Sequence, residues 1–401
     1  MSVAFHCPYR QSTLLQQALS PNKMRVAFLL GAGCPVGVRV KADDGSVGSL
    51  IPDIAGLTKL VDERLRSDDL YRASYIALME RFAGSPAPNI EGVLTHLRGL
   101  QDVVRGGTID GLNQQVLVDL DAAICKLTTD VVGKDLPEKT PYHQLAAWIG
   151  GISRSYPVEV FTPNYDLLIE QALEIHKVPY FDGFIGSREA FFDLSSIEND
   201  RLPERWARLW KVHGSINWWR TPSDDVVRKE RSSTGDRQMI YPSHLKYDQS
   251  RRLPYLAMLD RLREFLGRGQ GVVVTCGYSF ADQHLNEVIL NGLRSNPTAM
   301  CFGLLFGKRS SYPEALLQAG KRANLSVLAA DGAVLGTVEQ DWRADDLADH
   351  PLHEVAVRSP VVEEDKPPGN CQFTLGDFKS FGAFLAQQLK RSDDEVDDRV
   401  S

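Results

Sequence analysis

The chain has 401 residues, of which 43% are hydrophobic and 24% are charged, and its formal net charge is −7. This length is enough for two domains or for one large α/β domain with insertions, and the composition is that of an ordinary globular protein. The negative charge argues against a protein that wraps nucleic acid with its whole surface, because such a protein needs a basic field, but it leaves room for a local basic patch.

The six cysteines lie far apart and form no Cys-x-x-Cys pair. This spacing excludes the usual paired-thiolate zinc sites and argues against a disulfide framework, so a reducing compartment fits best. The N-terminal residues do not have the basic segment and apolar core of a signal peptide, and the longest charge-free apolar stretch is too short and too rich in glycine to cross a bilayer. We therefore expect a cytoplasmic protein without membrane contact.

After an N-terminal extension, residues 1–24, the run RVAFLL at residues 25–30 leads directly into Gly31. A continuous apolar run of β-favouring residues that ends in glycine is typical of a central strand in a parallel sheet. Similar runs recur at 157–162, 271–276, 299–306 and 325–329, and helical patterns follow most of them, at about 167–175, 282–293 and 312–323. The alternation of strands and helices predicts a Rossmann-like, doubly wound parallel α/β sheet.

Two long segments interrupt this alternation. Residues 57–150 have helical patterns, with Asn89 as the predicted N-cap of one helix, and a connection of this length predicts an inserted helical module. Residues 176–265 are predicted to form a second insertion, rich in aromatic and polar residues. Residues 337–390 form a C-terminal appendage that ends in an amphipathic helix, and residues 391–401 an acidic tail that we expect to be disordered.

Four glycine-rich or polar motifs fall at or near the carboxyl ends of predicted strands, where open α/β sheets bind their ligands. They are Gly31-Ala32-Gly33-Cys34, Thr162-Pro163-Asn164-Tyr165-Asp166, His213-Gly214 and Gly277-Tyr278-Ser279. Each motif by itself also has a structural explanation. The glycines suit tight turns, Asn and Asp suit helix caps, and a single His is more often a buried structural residue. No helix is predicted directly after the first motif, because glycines and prolines follow it.

In this order, and with Ile51-Pro52-Asp53 between the first two, the motifs resemble the signature of the sirtuin superfamily, which runs GAGxS, IPD, TQNxD, HG and GTS. The resemblance covers about residues 25–336 and implies a sirtuin-like NAD-binding domain that contains both insertions. Pro35 and Pro163 replace a serine and a glutamine of this signature, and Ile54-Ala55 replace a Phe-Arg pair. The two Cys-x-x-Cys pairs that hold zinc in sirtuin deacylases are missing, so the resemblance implies neither a bound metal nor protein deacylation.

The resemblance also implies which residues hold NAD and which catalyse its cleavage. The residues implied in NAD binding are Gly31, Ala32, Gly33, Cys34, Asp53, Asn164, Asp166, Gly277, Tyr278 and Ser279. The backbone N–H groups of residues 31–34 would seat the pyrophosphate, and Asp166 would hydrogen-bond the carboxamide of nicotinamide. Asn164 would place a water molecule or a ribose hydroxyl beside C1′, and His213 would act on the ribose hydroxyls as a general base or orienting acceptor. Asn164, His213 and Asp166 are therefore the predicted catalytic residues.

Without the zinc module, the chain is most similar to the sirtuin-like proteins of bacterial anti-phage systems, which destroy NAD, and among these to the partner of a HerA-type hexameric ATPase. This likeness implies an NAD glycohydrolase that acts in anti-phage defence and forms a homo-oligomer. The ATPase would act in trans, since the chain has no GxxxxGKS/T motif, and nucleic acid would be contacted only through the complex.

Several alternatives stay open at this point. The helical insertion and the appendage at 337–390 are predicted contact regions for self-association or for the ATPase, but both segments could instead complete the core. An NAD or ADP-ribose sensor without chemistry, an ADP-ribosyltransferase and a nuclease subunit are the rival functions. A nuclease would need a carboxylate cluster for a divalent metal, and the sequence offers no convincing set.

Overall fold

The computed structural model describes residues 5–21, 24–41, 45–84, 86–104, 106–231, 233–240, 254–343, 350–359 and 371–397. The strands are β1 Arg25–Leu30, β2 Arg39–Lys41, β3 Val47–Ser49, β4 Thr108–Ile109, β5 Leu112–Asn113, β6 Glu159–Thr162, β7 Tyr180–Phe181, β8 Phe184–Ile185, β9 Ala190–Phe192, β10 Ala207–Lys211, β11 Gly214–Arg220, β12 Val226–Arg228, β13 Arg237–Ile240, β14 Gly271–Cys276, β15 Ala299–Leu304, β16 Leu325–Ala329, β17 Gly332–Leu335, β18 Val338–Asp341, β19 Val357–Arg358 and β20 Gln372–Phe373. The helices are α1 Pro8–Ala18, α2 Gly33–Gly37, α3 Ile54–Ser67, α4 Arg72–Glu80, α5 Ile90–Val103, α6 Gln114–Val132, α7 Pro141–Gly151, α8 Leu168–Ile175, α9 Leu194–Asn199, α10 Tyr255–Gly267, α11 Gln283–Ser295, α12 Pro313–Ala319 and α13 Phe378–Asp397.

The main sheet has the strand order β18-β17-β16-β15-β14-β1-β6-β10-β7. Neighbouring strands from β16 to β7 run parallel, and only β17 and β18 add antiparallel pairs at one edge. The chain starts in the middle, at β1, fills one side through β6, and then returns to fill the other side from β14 outward. This order is a doubly wound topology with its switch point beside β1, so the predicted fold class is confirmed.

The five predicted apolar runs correspond to β1, β6, β14, β15 and β16, and the predicted helices after them to α8, α11 and α12. Every residue of β6 and β14 is buried, as expected for strands covered by helices on both faces. The structure differs from the prediction over residues 176–265, where β7 and β10 belong to the main sheet rather than to an insertion. The other strands of this range form a second sheet, with the order β13-β11-β12-β9-β8.

Strand β10 was not predicted, because Arg208 and Lys211 interrupt its run of apolar residues. Both side chains are buried in the structure and are neutralised by partners from other elements. Arg208 Nε lies 2.9 Å from Asp200 Oδ1, and Lys211 Nζ lies 2.9 Å from Glu170 Oε1. Buried charges of this kind depend on tertiary partners, which hydrophobic periodicity does not report.

The segment between β3 and β6 contains the helices α3 to α7 and one short hairpin, β4–β5. Asn89 caps α5 as predicted, since its side-chain oxygen accepts a hydrogen bond of 2.9 Å from the N–H of Gly92. The start of α5 is also tied to α3, because the N–H of Ile90 donates to Thr58 Oγ1 at 2.9 Å. These contacts fix the first turn of α5, which reaches the candidate site described below.

The C-terminal helix α13 packs against the main core. Phe381 contacts Phe28 of β1 edge-on, with ring centroids 6.0 Å apart, and Trp148 Nε1 of α7 donates to Gln388 Oε1 at 3.2 Å. The apolar side of this helix thus completes the core. The helix continues to Asp397, so the prediction of disorder from residue 391 is wrong as far as 397, because this acidic stretch contains neither Gly nor Pro. Residues 398–401 lie outside the described residues.

Across the part of the chain that the structure describes, no helix is both long enough and apolar enough to cross a membrane.

Candidate active site at the carboxyl edge of the sheet

Two glycine turns interlock at the ends of the neighbouring strands β1 and β14. The N–H of Gly31 donates to the carbonyl of Cys276, and the N–H of Gly33 donates to the carbonyl of Gly277, both at 2.9 Å. A Cβ atom at Gly31 would lie 2.3 Å from the carbonyl oxygen of Gly277, and one at Gly277, where φ is +64°, would lie 2.4 Å from the nitrogen of Cys34. Only glycine allows this approach, so the turns have a structural need for it whatever they bind.

In the interlocked turns, most backbone N–H groups of residues 31–34 make hydrogen bonds within the fold. Besides Gly31 and Gly33, Cys34 also uses its N–H within the fold, donating to the carbonyl of Gly31 at 3.0 Å. Among these four residues, only Ala32 has an N–H that makes no hydrogen bond within the described part of the chain. The Cys34 thiol is buried and donates to the carbonyl of Cys276 at 3.2 Å, and burial raises its pKa. A pyrophosphate could therefore use only the N–H of Ala32 while the turn keeps this conformation.

The short helix α2 begins directly at Gly33, although no helix was predicted there. Its five residues include Pro35, which lacks an N–H and is tolerated in the first turn of a helix. The prediction failed because the glycines and prolines that usually end a helix here form one compact turn.

The remaining residues implied in NAD binding lie at different depths. Asp53 is exposed and caps α3, since its side chain accepts from the N–H of Gly56 at 2.8 Å. Tyr278 is turned into the core, where its hydroxyl donates to Asn286 Oδ1 at 2.8 Å and burial raises its pKa. Ser279 is exposed, and Phe280 after it has a φ of +60°, which is rare for a bulky residue. Within this motif, the Tyr278 side chain is therefore part of the core. The backbone of Gly277 and the side chain of Ser279 lie outside the core.

Asn164 lies directly beside the first glycine turn. Thr162 Oγ1 donates to the carbonyl of Leu30 at 2.8 Å and accepts from the N–H of Asn164 at 3.1 Å, which fixes the loop after β6. The Asn164 amide then donates from Nδ2 to the carbonyl of Gly31 at 3.2 Å. Its Oδ1 makes no hydrogen bond with the residues that the structure describes, and an amide oxygen in this state can accept one from a water molecule or a hydroxyl group.

Asp166 is buried and makes a local turn, in which Oδ1 accepts a hydrogen bond of 3.0 Å from the N–H of Leu168. Asp166 therefore has a local structural role at the start of α8, where its side chain bonds to the backbone. The Asn164 side chain has no such role, because it does not cap this helix. Burial raises the pKa of Asp166 to about 6, and the positive charge of Lys211 limits this increase. The carboxyl group thus titrates at a higher pH than a free Asp does.

The buried ammonium group of Lys211 anchors the loop that contains Tyr165 and Asp166. Lys211 Nζ donates to the carbonyl oxygens of Tyr165, at 3.5 Å, and of Asp166, and it pairs with Glu170 Oε1 at 2.9 Å. Glu170 Oε2 is buried and has no hydrogen-bond partner. Because a buried charge needs partners, this pair ties the end of β10 to the loop and to α8.

His213 forms a pair with Asp282, the N-cap residue of α11. The two lie 3.1 Å apart, from His213 Nε2 to Asp282 Oδ2, while Asp282 Oδ1 accepts from the N–H of Leu285 at 3.0 Å. Burial would raise the pKa of Asp282, but the hydrogen bond and charge of His213 and two backbone N–H groups lower it overall. A carboxylate beside Nε2 favours the tautomer of the neutral ring that carries its proton on Nε2.

The strand register places Asn164 and His213 at the same level of the sheet. Thr162 of β6 pairs with Lys211 of the parallel neighbour β10, and each catalytic candidate follows two residues later. The two segments also bond to each other, since the carbonyl of Tyr165 accepts from the N–H of Ile216 at 3.1 Å. The segments that carry the asparagine and the histidine are therefore neighbours at the carboxyl edge of the sheet.

Glu91, in the first turn of α5, also reaches this region and was missed by the sequence analysis. Its carboxylate accepts a hydrogen bond from the hydroxyl of Tyr165. Burial raises the pKa of Glu91, and the positive charge available at His213 opposes this shift. In the sequence Glu91 has only the signal of an acidic residue near a helix N-terminus, which is common in solvent-exposed helices.

Over the described ranges, no group of three or more His, Cys, Asp or Glu side chains is arranged so that it could hold a metal ion.

The fold and the site together define an α/β protein with a candidate ligand site at the switch point of a doubly wound sheet. Residues 158–325 match the family model of the SIR2-like domain. This range contains Asn164, Asp166, His213 and the turn at 277–279, whereas the turn at 31–34 and Glu91 lie outside it. The match supports a sirtuin-like domain and an NAD-dependent activity in general terms.

A solved structure reported as "Structural Basis for the Mechanism and Regulation of Sir2 Enzymes" is 12% identical in sequence to this chain. It aligns over 74% of this chain and 85% of that chain, with a TM-score of 0.33. The fold class therefore rests on the observed strand order rather than on this alignment. No curated protein matches the chain.

Proposed function

We propose that the protein is an NAD glycohydrolase, which converts NAD and water into nicotinamide and ADP-ribose. The proposal rests on one observation above all: Asn164, whose amide oxygen makes no hydrogen bond within the described residues, follows β6 at the level where His213, the partner of Asp282, follows the neighbouring strand β10. Both groups fall within the range that matches the SIR2-like domain.

In the proposed reaction, the bond between C1′ of the ribose and the nicotinamide nitrogen breaks, and nicotinamide leaves with the bonding electrons as a neutral molecule. Positive charge develops at C1′, and the oxygen of a water molecule forms the new bond there. Asn164 Oδ1 would accept a hydrogen bond from this water or from a ribose hydroxyl and so place it beside C1′.

His213 would take up the proton that the water or hydroxyl loses, and the negative charge of Asp282 would stabilise the resulting imidazolium. The lowered pKa of Asp282 keeps this residue ionised at neutral pH. Asp166 would orient the nicotinamide carboxamide, and the glycine turns would let the dinucleotide approach the backbone closely. Each such contribution acts through position or charge and requires no group from outside the chain.

We further propose that the activity serves anti-phage defence by depleting NAD, in a homo-oligomer that works with a HerA-type hexameric ATPase. The support is the order of the five motifs, together with the need to keep such an activity latent in the cell that makes it. The apolar side of α13 is used in the core, so partner contacts would involve other surfaces. Exposed apolar side chains on the helical insertion, Leu70 and Val103, are candidates for them.

Product analysis tests the enzymatic proposal. The purified chain, alone and together with the ATPase, would be incubated with NAD in water enriched in oxygen-18, and the products would be separated and weighed by mass spectrometry. We expect equal amounts of nicotinamide and ADP-ribose, with one heavy oxygen in the ADP-ribose. Saturable NAD binding without products in either state would instead identify a sensor, and ADP-ribose attached to protein or nucleic acid would identify a transferase.

A further inference from the structure

One hydrogen bond joins the helical insertion to the loop that carries the predicted catalytic residues. The hydroxyl of Tyr165, which lies between Asn164 and Asp166, donates to the carboxylate of Glu91. Within the described residues, this hydroxyl is the only hydrogen-bond donor to the Glu91 side chain. The contact therefore links two segments that are 74 residues apart in the chain.

The backbone on the Glu91 side is held firmly. Asn89 caps the helix through the N–H of Gly92, and the N–H of Ile90 donates to Thr58 Oγ1 of α3, both at 2.9 Å. The side chain of Ile90 is buried. The position of Glu91 is thus set by the insertion and not by the loop that it touches.

The Tyr165 side belongs to the loop between β6 and α8. Tyr165 is 7% exposed, and its carbonyl accepts from the N–H of Ile216 at 3.1 Å and from Ser215 Oγ at 3.4 Å. The adjacent residue Asn164 is bonded to the glycine turn through its side chain. A displacement of Tyr165 would therefore move the Asn164 amide relative to both the glycine turn and His213.

Glu91 also lies within electrostatic range of the His213–Asp282 pair, since both of these groups affect its protonation. The histidine is thus near two carboxylates: Asp282, which it contacts directly, and Glu91, which is close enough to interact with it electrostatically. A third charged group, Lys211, contacts the same loop through the carbonyls of Tyr165 and Asp166.

We propose that Glu91 is a positioning residue for NAD hydrolysis: its carboxylate holds the Tyr165 side chain and thereby fixes Asn164 beside the reacting carbon. The helical insertion is then a part of the active site rather than an addition to its exterior. This inference rests on the proposed function, because the rate of hydrolysis is one of its two measures.

The test compares Glu91→Ala, Glu91→Gln and Tyr165→Phe with Glu63→Ala. Glu63 is a matched control, because it is an exposed carboxylate on α3 of the same insertion. A glutamine amide oxygen can still accept the hydrogen bond from Tyr165. We expect Glu91→Ala and Tyr165→Phe to lower kcat by about 10- to 100-fold, as for a hydrogen bond to a charged group, with little change in KM. Glu91→Gln should recover most of this loss, and Glu63→Ala should behave as the unmodified chain.

The double variant Glu91→Ala/Tyr165→Phe should be no slower than the slower single variant, because both changes remove the same contact. A normal kcat for Glu91→Ala, or a Glu91→Gln variant as slow as Glu91→Ala, would overturn the inference. Thermal unfolding of each variant would show that all of them are folded at the assay temperature.

A second measurement separates this inference from the proposed function. Amide hydrogen exchange of residues 160–168 would be followed by mass spectrometry in the same variants. Faster exchange in Glu91→Ala and Tyr165→Phe, but not in Glu91→Gln or Glu63→Ala, would support the positioning role even if the unmodified chain released no nicotinamide and the proposed function failed. Unchanged exchange in all four would overturn the positioning role on its own.

Discussion

The turns after β1 and β14 build one half of the candidate site from backbone atoms, whereas the loop after β6 and the turn after β10 build the other half from ionisable side chains. In the first half, Gly31 and Gly277 approach so closely that a Cβ at Gly31 would lie 2.3 Å from a carbonyl oxygen. In the second half, groups of opposite charge hold the candidates: the buried Lys211 contacts the loop of Asn164, and the partly exposed Asp282 contacts His213.

The glycine half thus determines the shape of the candidate site, and the charged half supplies its chemical groups. The glycine half can be altered only by changing the fold, because any side chain there collides with backbone. The charged half can be altered by isosteric substitutions that keep the shape and remove a charge. Substitutions in the glycine half should therefore lower the stability of the fold. Substitutions in the charged half should lower either the stability or the reaction rate, depending on which charge is removed.

The largest effect on stability is expected for Gly277→Ala. The new Cβ would lie 2.4 Å from the nitrogen of Cys34, at a residue whose φ of +64° already disfavours a side chain. Overpacking and backbone strain together should lower the free energy of unfolding by on the order of 5 kcal/mol. Chemical denaturation would measure this loss against Gly267→Ala, where no atom lies within 4 Å of the new Cβ. Equal stabilities of the two variants would contradict the interlocked turns.

The next effect is expected for Lys211→Met, which leaves the buried carboxylate of Glu170 without its partner. Breaking a buried ion pair in this way should lower the free energy of unfolding by about 4 kcal/mol. The double variant Lys211→Met/Glu170→Gln removes both charges and should recover a large part of that loss in the same denaturation experiment. If the double variant is no more stable than Lys211→Met, the pair does not anchor the loop as described.

A smaller effect, of opposite sign, is expected for Asp166→Asn. The pKa of Asp166 is about 6 in the folded chain and 3.8 as a free group, so the folded state binds its proton more tightly than the unfolded state does. As the pH rises from about 4 to 6, ionisation of Asp166 therefore destabilises the unmodified chain, by up to roughly 3 kcal/mol above pH 6. The asparagine variant lacks this penalty and can still accept from the N–H of Leu168.

Thermal unfolding at several pH values checks this prediction. Asp166→Asn should unfold at a higher temperature than the unmodified chain at pH 7.5, and the difference should shrink and vanish toward pH 4. A variant that is less stable at pH 7.5 would show that the carboxylate is stabilised in the fold, against the raised pKa.

Local patterns in the sequence predicted the central strands and the sites at their carboxyl ends, because buried parallel strands have continuous apolar residues and end in glycine or polar turns. They could not predict contacts between distant segments. Strand β10 was missed because Lys211 and Arg208 are compensated only by tertiary partners. Asp282 caps α11, and its second partner, His213, follows a different strand, so that no local pattern relates the two residues.

The backbone donors of residues 31–34 illustrate the same limit. Their glycines were consistent with phosphate binding, but the N–H groups of Gly31 and Gly33 bond to the turn after β14, which follows more than 240 residues later. The role of Glu91 could not be predicted from the sequence either, since its partner Tyr165 belongs to a distant segment of the chain. The family match covers 158–325 and so contributes nothing to these two regions.

The most direct test of this account is nicotinamide release from NAD by the chain and by Asn164→Ala, with the unfolding temperature and oligomeric state of both recorded in the assay buffer. With the ATPase present, so that a latent activity is switched on, we expect release by the unmodified chain and a rate lower by about 10²- to 10⁴-fold in a variant that is equally folded. Equal rates for the two proteins would contradict it, because the Asn164 amide could then have no part in cleaving the bond at C1′.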